Sequence, residues 1–502
     1  MFDGLYETIQ SLPEENRIYL YGCGKYGLAV YELLKQKHIE HRVAAFLVTN
    51  TSEVENNCYG KDILSIDSIK DNDKNAVIFL TLNEEYQAAI IPILQKKELF
   101  YYTFNDNKLK TISNEVNRIT DDFFNEFGVS FSNEKGRDSI LVIKLDGIGD
   151  VVLCTPFLKL LRKHFPDSEI SMIVSPSVYK LMNDCPYIDC LYVFDSSDYV
   201  KYPLHEKADR IKRYVESLGR LYELAIIPRM DVDYYGASLI AYFSGASERV
   251  TYSECATKQK EMENQGYDRL FSKVIVPDGV RHESLRNISI LEALGVRLTE
   301  DEKKTHCEVW ENDSSNKAIC AMVPFVNRSG KHVVFGMSAA DKKREWPWNN
   351  FLRLAYMILS EYPNVDVILC GKLSNNDEIE QCINDNGTNT RIFNMINRTS
   401  IPDIVSIMKK TDVYIGNDTG MMHIAAACDN RIIELSCHPK VGDANSENSP
   451  KRFGAWMTEN IILSPIEGLD GCNEKCIEKH AHCIKQITVE DVYDAFKKFW
   501  KG

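Results

Sequence analysis

A chain of 502 residues is too long for one hydrophobic core, and with 44% apolar residues it can fill several cores of ordinary size. Its formal net charge of −14 argues against a nucleic-acid binder, which needs a cationic surface to displace counterions, so an anionic ligand must meet locally placed positive groups. No run approaches the roughly 18 to 20 apolar residues of a membrane span, the opening Met1-Phe2-Asp3-Gly4 lacks a signal-peptide pattern, and fifteen scattered cysteines make no secreted disulfide framework, so a cytoplasmic protein is expected.

The first segment reads as strand, glycine turn and helix: Arg17 to Tyr21, then Gly22-x-Gly24-x-x-Gly27, then a helix through Leu34. Strands follow at Val43 to Val48 and Ala76 to Leu82, giving a small α/β unit over residues 1–105. Residues 106–137 turn polar and are expected to be a connector with one helix near Ile119 to Phe127. The next strand, Ile140 to Leu145, is apolar on both faces and runs through Asp146-Gly147-Ile148-Gly149-Asp150 into a helix whose first turn is disturbed by Pro156. Strand candidates at Ile170 to Val174 and Leu224 to Ile227 carry this domain on, over residues 138–320.

The last domain, residues 321–502, is the most legible. Strands are expected at Val333 to Phe335, Val365 to Cys370, Arg391 to Ile396, Val413 to Ile415 and Arg431 to Leu435. Helices at Asn350 to Tyr362, Ile401 to Lys409 and Met421 to Cys428 separate them, so a parallel, doubly wound sheet is predicted.

Two strand-to-helix turns have the composition of a site. In Gly416-Asn417-Asp418-Thr419-Gly420-Met421-Met422-His423, Asp418 or Thr419 can cap the helix, Gly420 lets a phosphate approach the backbone, and His423 lies within one turn. A capped core helix would explain each residue singly; their joint occurrence points to a diphosphate site without a metal. In the other turn, Gly147 and Gly149 permit close approach of a substrate, and Asp150 sits where a carboxylate can take a proton from an attacking hydroxyl. The structural alternative for Asp150 is a helix N-cap.

The pair of K-L-D-G-I-G-D-V-V-L-C-T-P at Lys144 to Pro156 and G-N-D-T-G-M-M-H-I-A-A-A at Gly416 to Ala427 resembles the two signature regions of glycosyltransferase family 9, the ADP-heptose-using heptosyltransferases. Lesser matches, among them His282-Glu283-Ser284-Leu285-Arg286-Asn287 and Arg344-Glu345-Trp346-Pro347, lie between them in the expected order, so the similarity covers about residues 138 to 500. The resemblance implies an α/β protein of GT-B architecture, two Rossmann-like domains, here preceded by a smaller Rossmann-like domain. It also implies that Asp150 is the base, that Asp418, Thr419, Gly420 and His423 bind the donor, and that Arg344, where lysine is common, grips phosphate. Glu378 is the candidate for the donor's ribose.

The expected activity is inverting, metal-independent transfer of a sugar, heptose from ADP-heptose, to a lipopolysaccharide-core or related surface-glycan acceptor. A protein O-heptosyltransferase and a non-catalytic scaffold in a glycan-assembly complex are the alternatives. The acceptor is a glycan, a lipid-linked glycan or a protein; nucleic acid is not expected, an oligomer is compatible with the sequence, and membrane association is at most peripheral, at the inner face. A basic run, Lys159, Arg162, Lys163 and His164, reads as a solvated helix face before it reads as a lipid contact.

Three further features stand apart. Gly22, Gly24 and Gly27 have dinucleotide-loop spacing, but the following strand ends without the acid that would hold a ribose, so a nucleotide site and a scaffold role are equally open. Asp231-Val232-Asp233 has the form of a metal-dependent D-x-D triplet and is expected to make surface or acceptor contacts. Cys472, Cys476 and Cys483, with His480 and His482 between, hold enough donors for zinc or iron, but their spacing is irregular for a zinc finger, so no metal is the favoured reading, and the expected reaction requires no cofactor. One subgroup of protein heptosyltransferases holds iron through cysteines in this tail.

Overall fold

The computed structural model describes residues 3–52, 57–131, 137–197, 199–322, 331–385, 390–469, 471–472 and 478–500. The chain divides into two compact units, Met1–Gly136 with Asp195–Pro277, and Arg137–Phe194 with Asp278–Gly502.

In the first unit, β1 (Arg17–Tyr21), β2 (Val43–Val48), β3 (Asn57–Cys58), β4 (Lys61–Ser65), β5 (Ala76–Leu80) and β6 (Phe100–Thr103) form a sheet in the order β3-β4-β2-β1-β5-β6. All its pairings are parallel except β3 with β4. Helices α1 (Lys25–Gln36) and α2 (Asp106–Val116) share a core with this sheet, through Leu28, Leu34, Leu109, Ile112 and Val116. The stretch expected as a connector therefore carries two helices, α2 and α3 (Asp121–Glu126). Its polar composition masked apolar positions spaced three and four apart, and Asn105 caps α2 by accepting from the Lys108 amide at 2.8 Å.

In the second unit, β7 (Ser139–Lys144), β8 (Glu169–Val174) and β9 (Cys190–Val193) form a parallel ladder. The chain after β7 makes α4 (Ile148–Val152), breaks, and starts α5 (Thr155–His164) with Pro156 in its first turn, where the missing amide costs nothing. The first unit holds another parallel ladder, β10 (Leu224–Ile226), β11 (Glu248–Tyr252) and β12 (Lys273–Ile275).

The remainder of the second unit follows α6 (Glu283–Ala293). Strands β13 (Lys331–Gly336), β14 (Val365–Cys370), β15 (Ile392–Asn394), β16 (Val413–Asn417), β17 (Arg431–Leu435) and β18 (Asn460–Leu463) form an all-parallel sheet in the order β15-β14-β13-β16-β17-β18. Helices α7 (Trp348–Glu361), α8 (Asn376–Asp385), α9 (Ile401–Met408), α10 (Gly420–Ala427) and α11 (Val489–Trp500) complete the predicted doubly wound pattern. Strand order reverses between β13 and β16, and the crevice at their carboxyl ends is where such sheets bind ligands. Among the described residues no helix is long and apolar enough to cross a membrane.

Within this unit a buried carboxylate, Glu283 at the start of α6, accepts from Arg452 at 2.7 and 2.9 Å and from Arg286 at 3.2 Å. Both arginines are 1% exposed, so this carboxylate is shared by two buried cations. Glu283→Ala removes the carboxylate that both guanidiniums share and is expected to cost about 3 to 5 kcal/mol in urea denaturation. A loss below about 1 kcal/mol would mean that the network contributes little.

Candidate active site

Strand β16 is buried along its length and ends in Asp418-Thr419, with Thr419 in extended conformation capping α10. The turn is held from below. Tyr414 Oη donates to the Asn417 carbonyl at 3.1 Å, and its ring fills space that only glycine leaves: a Cβ on Gly336 would lie 1.9 Å from that oxygen. Asn417 Oδ1 accepts from the Trp346 amide at 2.9 Å, tying the Trp346-Pro347 segment to the turn. Arg344, two residues earlier, thereby delivers its guanidinium to Asp418, with Nη2 2.8 Å from Oδ2 and a second bond to the Asp418 carbonyl.

The second turn meets the first. Gly147, not Asp150, caps α4, and Asp150 is its third residue, half-buried. A Cβ on Gly149 would sit 2.5 Å from His423 Cδ2, and one on Gly420 would sit 2.8 Å from Ile148 Cβ and 3.2 Å from the Gly149 nitrogen. Real Cβ atoms do not approach so closely, so the two turns pack backbone to backbone and His423 lies against the turn that carries Asp150. At the foot of that turn Lys144 and Asp146 form a buried ion pair at 2.8 Å.

Burial decides the charge states. His423 is 4% exposed; desolvation, with the nearby His282 and Arg344, drives its pKa down to about 3, so the imidazole is neutral. Burial pushes Asp418 upward against the pull of Arg344, and pushes Glu434, on β17 beside Gly416, far above the ordinary carboxyl range, with Asp418 adding repulsion. Glu434 is therefore the member of the pair that keeps its proton, because Arg344 is bonded directly to Asp418. Sequence reading missed Glu434; the available signal was a lone acid inside an apolar buried strand. Among the described residues the buried His423 Nδ1 and Asn417 Nδ2 have no hydrogen-bond partner, as buried polar atoms rarely do without a ligand or water to meet them, whereas Glu434 takes a backbone N–H from Ala455 and the Thr419 hydroxyl meets that of Tyr414.

The other expected residues are dispersed. Glu378 stands exposed in the first turn of α8. In the first unit, Gly22 has φ 107° and a Cβ on Gly27 would lie 1.8 Å from the Gly22 carbonyl oxygen, so these glycines serve close helix packing, while Gly24 caps α1. Thr49, after β2, hydrogen-bonds Tyr21 at 2.9 Å where a ribose-binding acid would stand. Asp233 departs from its expected surface role: it is 7% exposed and accepts from the amides of residues 235 to 238 at 2.7 to 3.1 Å. The α5 basic run is paired, Lys159 with Glu308, Arg162 with Asp189, and Lys163 and His164 with Glu302.

Near the C-terminus, Cys472 Sγ and Cys483 Sγ lie 3.7 and 3.6 Å from His482 Nδ1, and one ligand atom from each of the three falls within 4.8 Å of the others. Both sulfurs belong to fully buried side chains. A tetrahedral ion with bonds of about 2.3 Å to sulfur and 2.0 Å to nitrogen sets S···N edges near 3.5 Å, so the donors fit one. Cys476 lies outside the described residues.

Residues 249–481 match the profile described as Glycosyltransferase family 9 (heptosyltransferase). The chain is 21% identical over 374 residues to lipopolysaccharide heptosyltransferase 1 of Campylobacter coli, covering 72% of this chain and 98% of that relative. Its structure resembles a family 9 glycosyltransferase of Veillonella parvula with a TM-score of 0.57 at 19% identity, covering 73% of this chain and 97% of the other. An Escherichia coli heptosyltransferase solved with ADP-2-deoxy-2-fluoro heptose gives 0.51 at 13% identity, covering 72% and 99%. The fold is thus the expected GT-B α/β architecture with an additional N-terminal α/β sheet.

His423, and His282 with a pKa near 4, are neutral when folded but take up protons at about 6.5 when unfolded. Their contribution to stability is whole above pH 6.5 and declines as pH falls toward 4 and 3, by up to about 1.4 kcal/mol per pH unit each. Urea denaturation between pH 7 and 5 is expected to show a shallower pH slope for His423→Gln than for the parent; equal slopes would contradict a neutral buried His423.

Proposed function

We propose that this chain, a family 9 heptosyltransferase-like glycosyltransferase, transfers heptose from ADP-heptose to a lipopolysaccharide-core or related surface-glycan acceptor, with inversion and without a catalytic metal. The observation that supports this most is the meeting of the two glycine turns, which brings the turn that carries Asp150 against His423, beside the unpartnered His423 Nδ1 and Asn417 Nδ2. The relative from Campylobacter coli is named a lipopolysaccharide heptosyltransferase, and one structural neighbour was solved with an ADP-heptose analogue. The reaction is placed in the cytoplasm, at the inner face of the membrane when the acceptor is lipid-linked.

In this reading the acceptor hydroxyl attacks the anomeric carbon from the side of Asp150, whose carboxylate takes the proton as the new C–O bond forms. The bond to the diphosphate breaks on the opposite face and its electron pair leaves with ADP. The amides opening α10, the Thr419 hydroxyl and the Arg344 guanidinium meet the charge that develops there. His423, being neutral, donates one N–H to the departing oxygens. Protonated Glu434 keeps a second negative charge away from the diphosphate. Arginine suits the phosphate-gripping position because its planar fork binds two oxygens while it remains paired with Asp418.

Calorimetric titration with ADP-heptose, ADP-glucose, UDP-glucose and GDP-mannose tests the donor; ADP-heptose is expected to bind with equal affinity with and without magnesium. Asp150→Ala is expected to lower transfer at least about a hundredfold with donor affinity retained, and His423→Ala to weaken the donor about tenfold. Unchanged turnover in the first variant, or unchanged affinity in the second, would remove that residue from the mechanism.

The Cys472–His482–Cys483 cluster is assigned to a structural ion, zinc by its donor set, that pins the segment before α11 and takes no part in transfer. Elemental analysis of the purified protein is expected to find about one equivalent of metal, lost in Cys472→Ser. Less than about a tenth of an equivalent would dispose of the site.

A further inference from the structure

The second unit contains a cavity of about 310 Å³ that the transfer mechanism does not use. It opens at the carboxyl ends of β17 and β18, the two strands next to β16, whose end carries Asp418. Its walls include Pro439, Pro450 and Ile462, an apolar surface suited to the C–H face of a sugar ring. Its charged groups are both cations, Lys440 and Lys451; His438, Ser449 and Ser464 add polar atoms, burial holding the His438 imidazole below its ordinary pKa, and no carboxylate lines it among the described residues. In a chain with 73 acids against 59 lysines and arginines, such a lining is a departure from the composition, not a sample of it. Lysines on α5 are paired with acids, whereas neither Lys440 nor Lys451 has a carboxylate partner among the described residues. The acids that act on His438 are Asp443 on its own loop and Asp418, which is engaged by Arg344.

We propose that this cavity is a subsite for an anionic sugar, binding the phosphate or carboxylate carried by the acceptor residue while the ring packs on the apolar wall. The assignment of the ligand to the acceptor rests on the glycosyl-transfer reading; the preference for an anionic sugar rests on the cavity alone. The volume is at the lower end of small-molecule sites and matches one monosaccharide with its substituent. Because β17 pairs with β16, the cavity opens at the same edge of the sheet as the turn that carries Asp418, so an acceptor held here can present a hydroxyl toward it. An acceptor lacking the anion would forfeit charge-assisted hydrogen bonds to two lysines, which makes the subsite a determinant of acceptor choice, with no role in the chemical step.

The test is calorimetric titration of the full chain, with and without saturating ADP, using glucose 6-phosphate, glucuronate and glucose as probes. The wild type is expected to bind at least one of the two anionic probes, and which one distinguishes phosphate from carboxylate; neutral glucose should bind at least about tenfold more weakly. Both lysines are exposed, so K440A/K451A should fold normally, which a thermal melt checks, and should lose anionic-probe affinity about tenfold or more. K440R/K451R, which keeps the charges, should retain it. Equal binding of glucose and the anionic probes, no binding of any, or unchanged binding by K440A/K451A would overturn the subsite. ADP binding is read separately: if ADP fails to bind while lysine-dependent anion binding persists, the transfer reading falls and the anion site stands, and the converse removes the subsite alone.

Discussion

Everything assigned to the crevice depends on the backbone contact between two glycine turns. Gly149 and Gly420 leave no room for a Cβ, and because they do not need it, the start of α4 and the start of α10 come close enough for His423 to rest on the turn that bears Asp150. Side chains at either position would wedge the turns apart, since they would strike the His423 ring, the β-branched Ile148 and the backbone itself. The contact is a steric condition, and the chemistry inherits its precision.

Charge is handled with the same economy in a strongly acidic chain. The crevice keeps Arg344 paired with Asp418, holds His423 neutral and leaves Glu434 protonated, so burial removes the charges that would oppose an anionic donor. Farther along the same unit, Glu283 balances two buried arginines, and His282 is neutral between the Ser284 amide and the Gly454 carbonyl while stacked 4.4 Å from Trp456. Arg344, Asp418, Glu283 and His282 are held by these bonds before any ligand arrives, which is the preorganisation that electrostatic catalysis requires.

Much of this was legible in the sequence, for identifiable reasons. Val365–Cys370 and Arg431–Leu435 emerge as written because fully buried parallel strands are apolar runs bounded by turns. The two signature turns were visible because glycines, caps and a nearby histidine are rare in that order. Two edge strands were not: β6 and β18 are four residues long and partly exposed, so neither alternation nor a continuous apolar run marks them. Helix α2 was hidden by polar residues on its outer face, and the break between α4 and α5 turns on local geometry around Pro156. Glu434 could not be read as a site residue because its meaning comes from Asp418, sixteen positions away in sequence and adjacent only once β16 and β17 pair.

The most direct test of the central contact is ADP affinity, by calorimetry, in Gly149→Ala and Gly147→Ala. The two glycines are two residues apart on one turn, but a Cβ at Gly147 would meet only Asp150 Oδ2, at 3.8 Å, whereas one at Gly149 would strike His423. The account predicts that Gly149→Ala weakens ADP about tenfold or more while Gly147→Ala stays within about twofold of the parent, in line with the small cost of replacing a glycine cap. Equal affinities in the two variants would contradict the claim that the packing of these turns builds the donor site.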